Sequence, residues 1–301
     1  MSLLENKSVV YTRGADGGLL IQVHYVSLDP YLRGRMRDPN VKSYRPAFSA
    51  GEILSNFGIG SVIDSSAPGF AKADLVKSPN TQTRNGFPLT YFLGVLGMPG
   101  LTAYYSFYRI GEPKKGQSIL ITAASGVAKH EGLRVIGSVG SDDKVKYLKD
   151  DLKFDEAWNY KQISPAEGIR KHIPEGIDIY FDNVGGEFLD AALVGMNDYG
   201  RIVECGQISQ YNVRPEDQYG IKNTFVIVKK RLKIQGFIIL DVYERDPQAV
   251  AEFECTMSKF LKSGEFTYKE NVRDGIENTL DAFVAVLTGK NFGKVSVKIS
   301  A

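Results

Sequence analysis

Metal ligands are scarce in this chain. Three histidines (His24, His130, His172) and two cysteines (Cys205, Cys255) are scattered over 301 residues, and no group of them has the spacing of a zinc site. Metal-assisted chemistry is therefore not expected. The cysteines are far apart and unpaired in pattern, which suits the reducing cytoplasm better than a disulfide framework. No apolar run approaches the roughly 18 residues of a membrane span, and Met1-Ser-Leu-Leu-Glu does not read as a signal peptide. Neither sign of charge dominates, with 37 Lys and Arg against 35 Asp and Glu. Nothing here favours nucleic acid or an anionic membrane as a partner. A chain of this length is comfortable as two domains.

A further absence is local. Ser118-Ile-Leu-Ile-Thr-Ala-Ala and Leu133-Arg-Val-Ile-Gly-Ser-Val-Gly are continuous apolar runs of strand length, as expected for strands buried on both faces of a parallel sheet. Only the eight residues from Ser125 to Gly132 separate them. Parallel neighbours need a crossover of roughly a dozen or more residues, usually a helix. Ser125-Gly126 begins like the glycine turn that meets a dinucleotide's diphosphate. Val127-Ala128-Lys129 reads like the end of the helix that follows, and the middle is missing. Joints near Gly17-Gly18 and Val76-Lys77 are similarly abrupt.

What is present falls into two styles. Residues 1 to about 95 are strand- and turn-rich: Val23-His-Tyr-Val-Ser-Leu alternates, Gly58-Ile-Gly-Ser-Val-Ile-Asp is a glycine-punctuated strand, and six prolines fall in turns. This predicts a mainly β unit of the partly open barrel, GroES-like type. From about 100 to 240 the pattern becomes strand–helix alternation. Strands are expected at Ser118–Ala124, Leu133–Val139, Glu156–Asn159, Ile177–Asp182, Gly200–Cys205 and Leu232–Phe237. Helices are expected at Leu101–Tyr108, Asp142–Lys149, Pro165–Lys171, Phe188–Gly195 and Tyr219–Lys230. That alternation predicts an α/β fold with a doubly wound parallel Rossmann sheet. Two amphipathic helices, Pro247–Gly264 and Asn278–Gly289, and a final strand from Lys294 complete the chain. The expected division is 99–240 for the nucleotide domain, with 1–98 and 241–301 forming the β-rich substrate domain.

The end of the second strand bears on cofactor choice. NAD enzymes usually place Asp or Glu there to hold the ribose 2′-hydroxyl. Here Gly140 and Ser141 leave room for a 2′-phosphate, and Lys144 follows within one helical turn as a counter-charge. An ordinary solvated lysine beside Asp142 and Asp143 is the plainer alternative.

Four segments carry a resemblance to a known family. Leu28-Asp-Pro-Tyr-Leu-Arg-Gly-Arg-Met, Tyr91-Phe-Leu-Gly-Val-Leu-Gly-Met-Pro-Gly-Leu-Thr-Ala-Tyr, Phe181-Asp-Asn-Val-Gly-Gly-Glu and Gly289-Lys-Asn-Phe-Gly-Lys resemble the zinc-free medium-chain reductases. The nearest branch is the group of alkenal double-bond, prostaglandin and curcumin reductases. The similarity runs in order over nearly the whole chain. It implies NADP(H)-dependent reduction of a carbon–carbon double bond conjugated to an aldehyde or ketone, in a cytoplasmic homodimer acting on a small molecule. Members of the family carry longer segments at all three abrupt joints, and this favours loops left out of the sequence over true losses.

The resemblance also implies roles. Lys144 and Tyr160 match the lysine and tyrosine beside the 2′-phosphate. Met98 and Thr102, at a helix start, would lie near the nicotinamide, and Asn183 would reach the ribose or diphosphate, with Ser125 and Gly126 in the phosphate turn. Cys205-Gly206-Gln207-Ile208-Ser209 would line the cofactor at a strand's carboxyl end, Cys205 as a small wall residue. Phe237, Ile238 and Ile239 would contact the nicotinamide from strand backbone, with Asn291 and Gly293 closing over it. Tyr31 matches the substrate-side tyrosine that would steady the enolate, and Tyr211 borders the same site. Prostaglandin reductases carry a tyrosine before Lys-Gln-Leu where this chain has Lys229, so it lies nearer the curcumin-reductase and fungal-like branches. Quinone reduction remains an alternative, as does a non-enzymatic binding role if the segment after Gly126 is truly lost.

Overall fold

The computed structural model describes residues 9–14, 17–52, 54–77, 81–82, 86–122 and 127–299. The chain divides into two compact units, 1–100 with 268–301, and 101–267. The stretch 241–267, expected with the β-rich part, belongs to the second unit.

In chain order the elements are β1 (Val9–Gly14), β2 (Gly17–Ser27), α1 (Tyr31–Arg35), β3 (Gly58–Ser65), β4 (Leu75–Lys77) and β5 (Thr81–Gln82). They are followed by α2 (Met98–Ser106), β6 (Ser118–Thr122), α3 (Val127–His130), β7 (Arg134–Val139), α4 (Asp142–Asp150) and β8 (Glu156–Asn159). Next come α5 (Pro165–His172), β9 (Ile177–Asp182), α6 (Gly186–Gly195), β10 (Met196–Glu204), α7 (Phe225–Lys230) and β11 (Lys233–Gly236). The last are α8 (Ile239–Arg245), α9 (Pro247–Ser263), β12 (Glu270–Asp274), α10 (Thr279–Leu287) and β13 (Lys294–Lys298).

The first unit is a mostly antiparallel sheet in the order β12-β13-β2-β3-β4-β5, with β1 on β2. Its C-terminal strand rejoins it, since β13 pairs antiparallel with β2. The second unit is a six-stranded sheet in the order β11-β10-β9-β6-β7-β8, with every neighbouring pair parallel. This is the doubly wound arrangement, covered on both faces, which is why every residue of β6 is buried. One face packs Leu120, Ile136, Tyr180 and Ile202 of the strands against Ile169, Phe188 and Leu193 of α5 and α6. Each such side chain fully removed from water contributes about 1.5–3 kcal/mol.

The crossover from β6 to β7 occupies only residues 123–133, with α3 as its helical part. The two strands nevertheless pair in regular parallel register from Ser118↔Arg134 to Thr122↔Ser138.

Two expected elements differ in kind. Residues 219–224 precede α7 without being helical, because buried Asp190 on α6 captures them. Its carboxylate accepts from Tyr219 Oη at 3.0 Å, Lys222 N at 3.0 Å and Asn223 N at 2.9 Å. Backbone donors spent on a carboxylate are not available to a helix. The last expected strand stops at Gly236, and Ile239 opens α8 instead of extending the sheet. Among the described residues no helix is long and apolar enough to cross a membrane.

Candidate active site

Ligands of doubly wound sheets bind outside the carboxyl ends of the strands, and three groups of expected site residues stand apart by element. The first lies where β7 meets α4. Gly140 leaves an opening filled by Tyr160: a Cβ on Gly140 would sit 2.8 Å from the tyrosine hydroxyl. Ser141 precedes α4, whose first turn carries Lys144. The Asp142 carboxylate is taken by Asn159 Nδ2 at 2.8 Å and Gln162 Nε2 at 2.9 Å, so it locks α4 to the end of β8. Burial, then the nearby charge of Lys161, pushes the Lys144 ammonium below its ordinary pKa. Two cations thus crowd one spot with a tyrosine beside them. Lys161 adjoins Tyr160, but nothing in the sequence pattern marks it.

The second group surrounds the ends of β9 and β10. Asn183 is tied to the last residue of β6: its backbone N–H donates to Thr122 Oγ1 at 2.9 Å and its amide to Thr122 O. The chain of Cys205 and Gly206 folds over β9 through donations from both amides to Asp182 O, at 2.9 and 3.1 Å. Gln207 closes on Gly185, whose φ is 67°; a Cβ there would sit 2.7 Å from Gln207 Cγ, which leaves no room for a side chain. Ile208 N donates to Asn183 O at 3.1 Å, and Ser209 Oγ to Val184 O at 2.6 Å. The Tyr211 hydroxyl accepts from Gln207 N at 3.2 Å, so it helps to hold this loop. Phe237 and Ile238 continue from β11, whose Gly236 is in register with Glu204.

Two acids share this edge. Asp182 and Glu204 are register partners on adjacent parallel strands, so their side chains leave the sheet on the same face. Asp182 is fully buried, and its Oδ1 accepts from Tyr180 Oη and from the amides of Val184 and Gly185 at 2.8–2.9 Å. Asp182 Oδ2 and Glu204 Oε1 are buried without a hydrogen-bond partner among the described residues. Burial first, and Asp182 second, push the Glu204 carboxyl up to about 7. Burial and both acids push the Cys205 thiol up to about 12. A thiol held neutral is a poor nucleophile, in keeping with a wall residue.

The third group belongs to the first unit. Tyr31 opens α1, two residues after buried Asp29. Its hydroxyl donates to Asn56 Oδ1 at 3.0 Å. Asn56 is itself fixed, accepting from Phe57 N at 2.7 Å and donating to Ser27 O. Burial first, then Asp29, push the Tyr31 hydroxyl up to about 12, against the opposing charges of Arg45 and Arg35. Lys294 Nζ reaches Asp29 Oδ1 at 2.6 Å and Leu28 O at 2.9 Å. The loop before Lys294 holds Asn291, whose amide donates to Gly293 O at 3.0 Å. Lys294 therefore ties the loop that holds Asn291 and Gly293 to the Leu28–Asp29 turn before α1. Asn56 is a lone polar residue between turns and carries no pattern in the sequence. Met98 opens α2, and the carbonyl of Thr102 accepts from Ser106 Oγ at 2.6 Å. Ser125 and Gly126 lie outside the described residues.

A parallel six-stranded sheet with a basic, tyrosine-lined slot at its second strand and an antiparallel companion unit define a dinucleotide-dependent oxidoreductase. Residues 122–257 match the family described as zinc-binding dehydrogenase, and residues 3–85 match the N-terminal domain of oxidoreductase. The chain belongs to the medium-chain dehydrogenase/reductase family, in the zinc-independent group of alkenal and curcumin reductases. It is 43% identical over 310 positions to an NADP-dependent oxidoreductase of Cochliobolus heterostrophus, covering 94% of this chain and 88% of that one. It is 40% identical over 300 positions to the NADP(+)-dependent 2-alkenal reductase of Nicotiana tabacum, covering 92% and 85%. The structure of CurA from Vibrio vulnificus in complex with NADPH superposes with a TM-score of 0.86 at 35% identity, covering 96% and 91%. The first of these alignments, at 310 positions, is longer than this entire 301-residue chain. That relative therefore carries internal residues with no counterpart here, as the abrupt joints imply. Among the described residues no three His, Cys, Asp or Glu side chains gather as a metal site would require.

Proposed function

We propose that the chain uses NADPH to saturate the carbon–carbon double bond of α,β-unsaturated aldehydes and ketones, leaving the carbonyl intact. It is an NADP-dependent oxidoreductase of its family; the proposal concerns the bond reduced and the residues involved. The observation that carries it is Tyr31, a protonated hydroxyl aimed by a fixed amide and set in the field of two arginines.

The residues present fit the cofactor at its 2′-phosphate end. Gly140 lets the Tyr160 hydroxyl rest against the end of β7, and Lys144 with Lys161 would supply the counter-charge beside it. When bound, NADPH supplies the hydride that is added at the β-carbon. The protein's own part is electrostatic. As negative charge gathers on the carbonyl oxygen, Tyr31 donates a hydrogen bond to it without giving up its proton, and Arg35 and Arg45 stabilise the same charge through space. The enolate then takes a proton from solvent water at the α-carbon, which completes the saturated product. A donor whose pKa is about 12 keeps its proton throughout the neutral range.

Incubation of a simple enone with NADPH and a strong chelator, with the product identified by mass and NMR, tests this reading. A saturated ketone is expected. An allylic alcohol defeats the proposal, hydroquinone formation without enone turnover moves the chain to quinone reduction, and a requirement for added zinc overturns the unassisted mechanism.

We further propose that the protein is a homodimer paired along β11. All four residues of this edge strand are exposed, Ile234 included, and Phe225 and Val228 on α7 are 75% and 71% exposed. An uncovered edge is a ready template for another strand. Light scattering should give twice the chain mass; a species of 33.3 kDa at micromolar concentration rules the dimer out.

A further inference from the structure

We propose that the site around Tyr31 selects conjugated carbonyl substrates that also carry an anionic group, and that Arg45 is the residue that reads the charge. This rests on Tyr31 as the group that faces the substrate carbonyl.

The segment from α1 to β3 concentrates guanidinium groups whose observed partners are neutral. Arg35 is buried. It donates to Pro46 O at 3.1 Å, Ser55 O at 2.6 Å and Ser55 Oγ at 3.1 Å, and its guanidinium lies 3.9 Å from the centre of the Phe48 ring. Arg37 donates to Gly34 O at 2.9 Å, Val41 O at 2.7 Å and Arg45 O at 2.7 Å. Among the described residues none of Arg35, Arg37 and Arg45 forms an ion pair. Two acids of this region, Asp29 and Asp38, are committed elsewhere. Asp29 is held by Lys294 and Ser27, and Asp38 turns back on Asn40 at 2.9 and 3.0 Å.

The placement of Arg45 follows from its neighbours. Arg37 grips its carbonyl and Arg35 grips that of Pro46, so two guanidiniums fix the backbone from which the third projects. Its Nε is buried and, among the described residues, without a hydrogen-bond partner. A buried N–H on a cation is costly to leave unmatched, and an arginine so placed suits a carboxylate. The charges of Arg35 and Arg45 both reach the Tyr31 hydroxyl. A substrate whose carbonyl oxygen meets that hydroxyl would therefore bring a second, negatively charged group within range of Arg45. Arg35 is already satisfied by Pro46 and Ser55, whereas Arg45 retains an unmatched donor.

The test uses two linear enones of equal length, one ending in a carboxylate two methylenes from the double bond and the other in a primary amide. The ratio of their kcat/KM values cancels any effect of Arg45 on the reacting oxygen itself. In the native enzyme the acid should be favoured by about ten- to a hundredfold, the worth of one charge-assisted contact. The preference should lie mainly in KM and shrink as salt rises. Arg45→Gln should bring the ratio close to one, and Arg45→Lys should restore part of it. An unchanged ratio in Arg45→Gln, or no preference in the native enzyme, overturns the proposal. If neither enone is reduced, the reductase reading fails by itself. Calorimetric binding of the two saturated analogues to the native protein and to Arg45→Gln then decides the anion preference without turnover, with equal affinity for acid and amide counting against it.

Discussion

Replacing Tyr31 by Phe should lower kcat/KM for a simple enone by about 10²–10³, the usual consequence of deleting one donor to a developing oxyanion. The substitution removes an oxygen and little else. The ring packs edge-on to Phe57 at 6.0 Å and against the cluster of Leu28, Leu32 and Phe283, contacts that Phe retains. Asn56 Oδ1 loses Tyr31 but keeps Phe57 N, so no buried acceptor is stranded. Thermal stability should therefore stay close to that of the native protein while the rate falls. The same double role of Asn56 lets the hydroxyl turn toward a substrate without orphaning the amide. Wild-type turnover in the Phe variant would leave Tyr31 as an anchor for α1 and pass the donor role to the ribose or to Tyr211.

Lys144→Ala should raise the KM for NADPH by about ten- to a hundredfold and leave NADH kinetics almost unchanged. The selectivity of the effect is the point, because only NADPH carries the 2′-phosphate. Lys144 and Lys161 repel each other in the free protein, so removing one relieves a local penalty and should not destabilise the fold. Lys161→Ala should act in the same direction but less, its side chain being exposed. Equal losses with both nucleotides would give Lys144 a different task.

The central strands of the parallel sheet were legible because strands buried on both faces are continuous apolar runs. β6 and β7 fall within the expected Ser118–Ala124 and Leu133–Val139. The shortened crossover was legible as well, since chain length sets a lower limit that pattern alone cannot hide. By contrast, Ile-Ile-Leu at 238–240 reads as strand, yet a helix begins there. The stretch 219–224 looked helical until the single acid Asp190 claimed its amides. Lys144 was legible from its place one helical turn past the second strand and Tyr160 through family resemblance, whereas Asn56, Lys161 and Arg45 are ordinary polar residues whose significance is created by register and packing. The Asp182–Glu204 adjacency is of the same kind: two acids twenty-odd positions apart become neighbours only when β9 and β10 pair.

Gly140 and Tyr160 have a further consequence, for timing. The tyrosine hydroxyl occupies the space that a methyl group on residue 140 would need, so the ring already rests against Gly140 in the folded chain while the residue stays 41% exposed. Ordering a side chain at the moment of association costs about 0.5–1.5 kcal/mol. Here part of that loss of freedom belongs to folding, because the hydroxyl end of the ring is already seated on Gly140, and only the remainder is left to the moment when a nucleotide arrives.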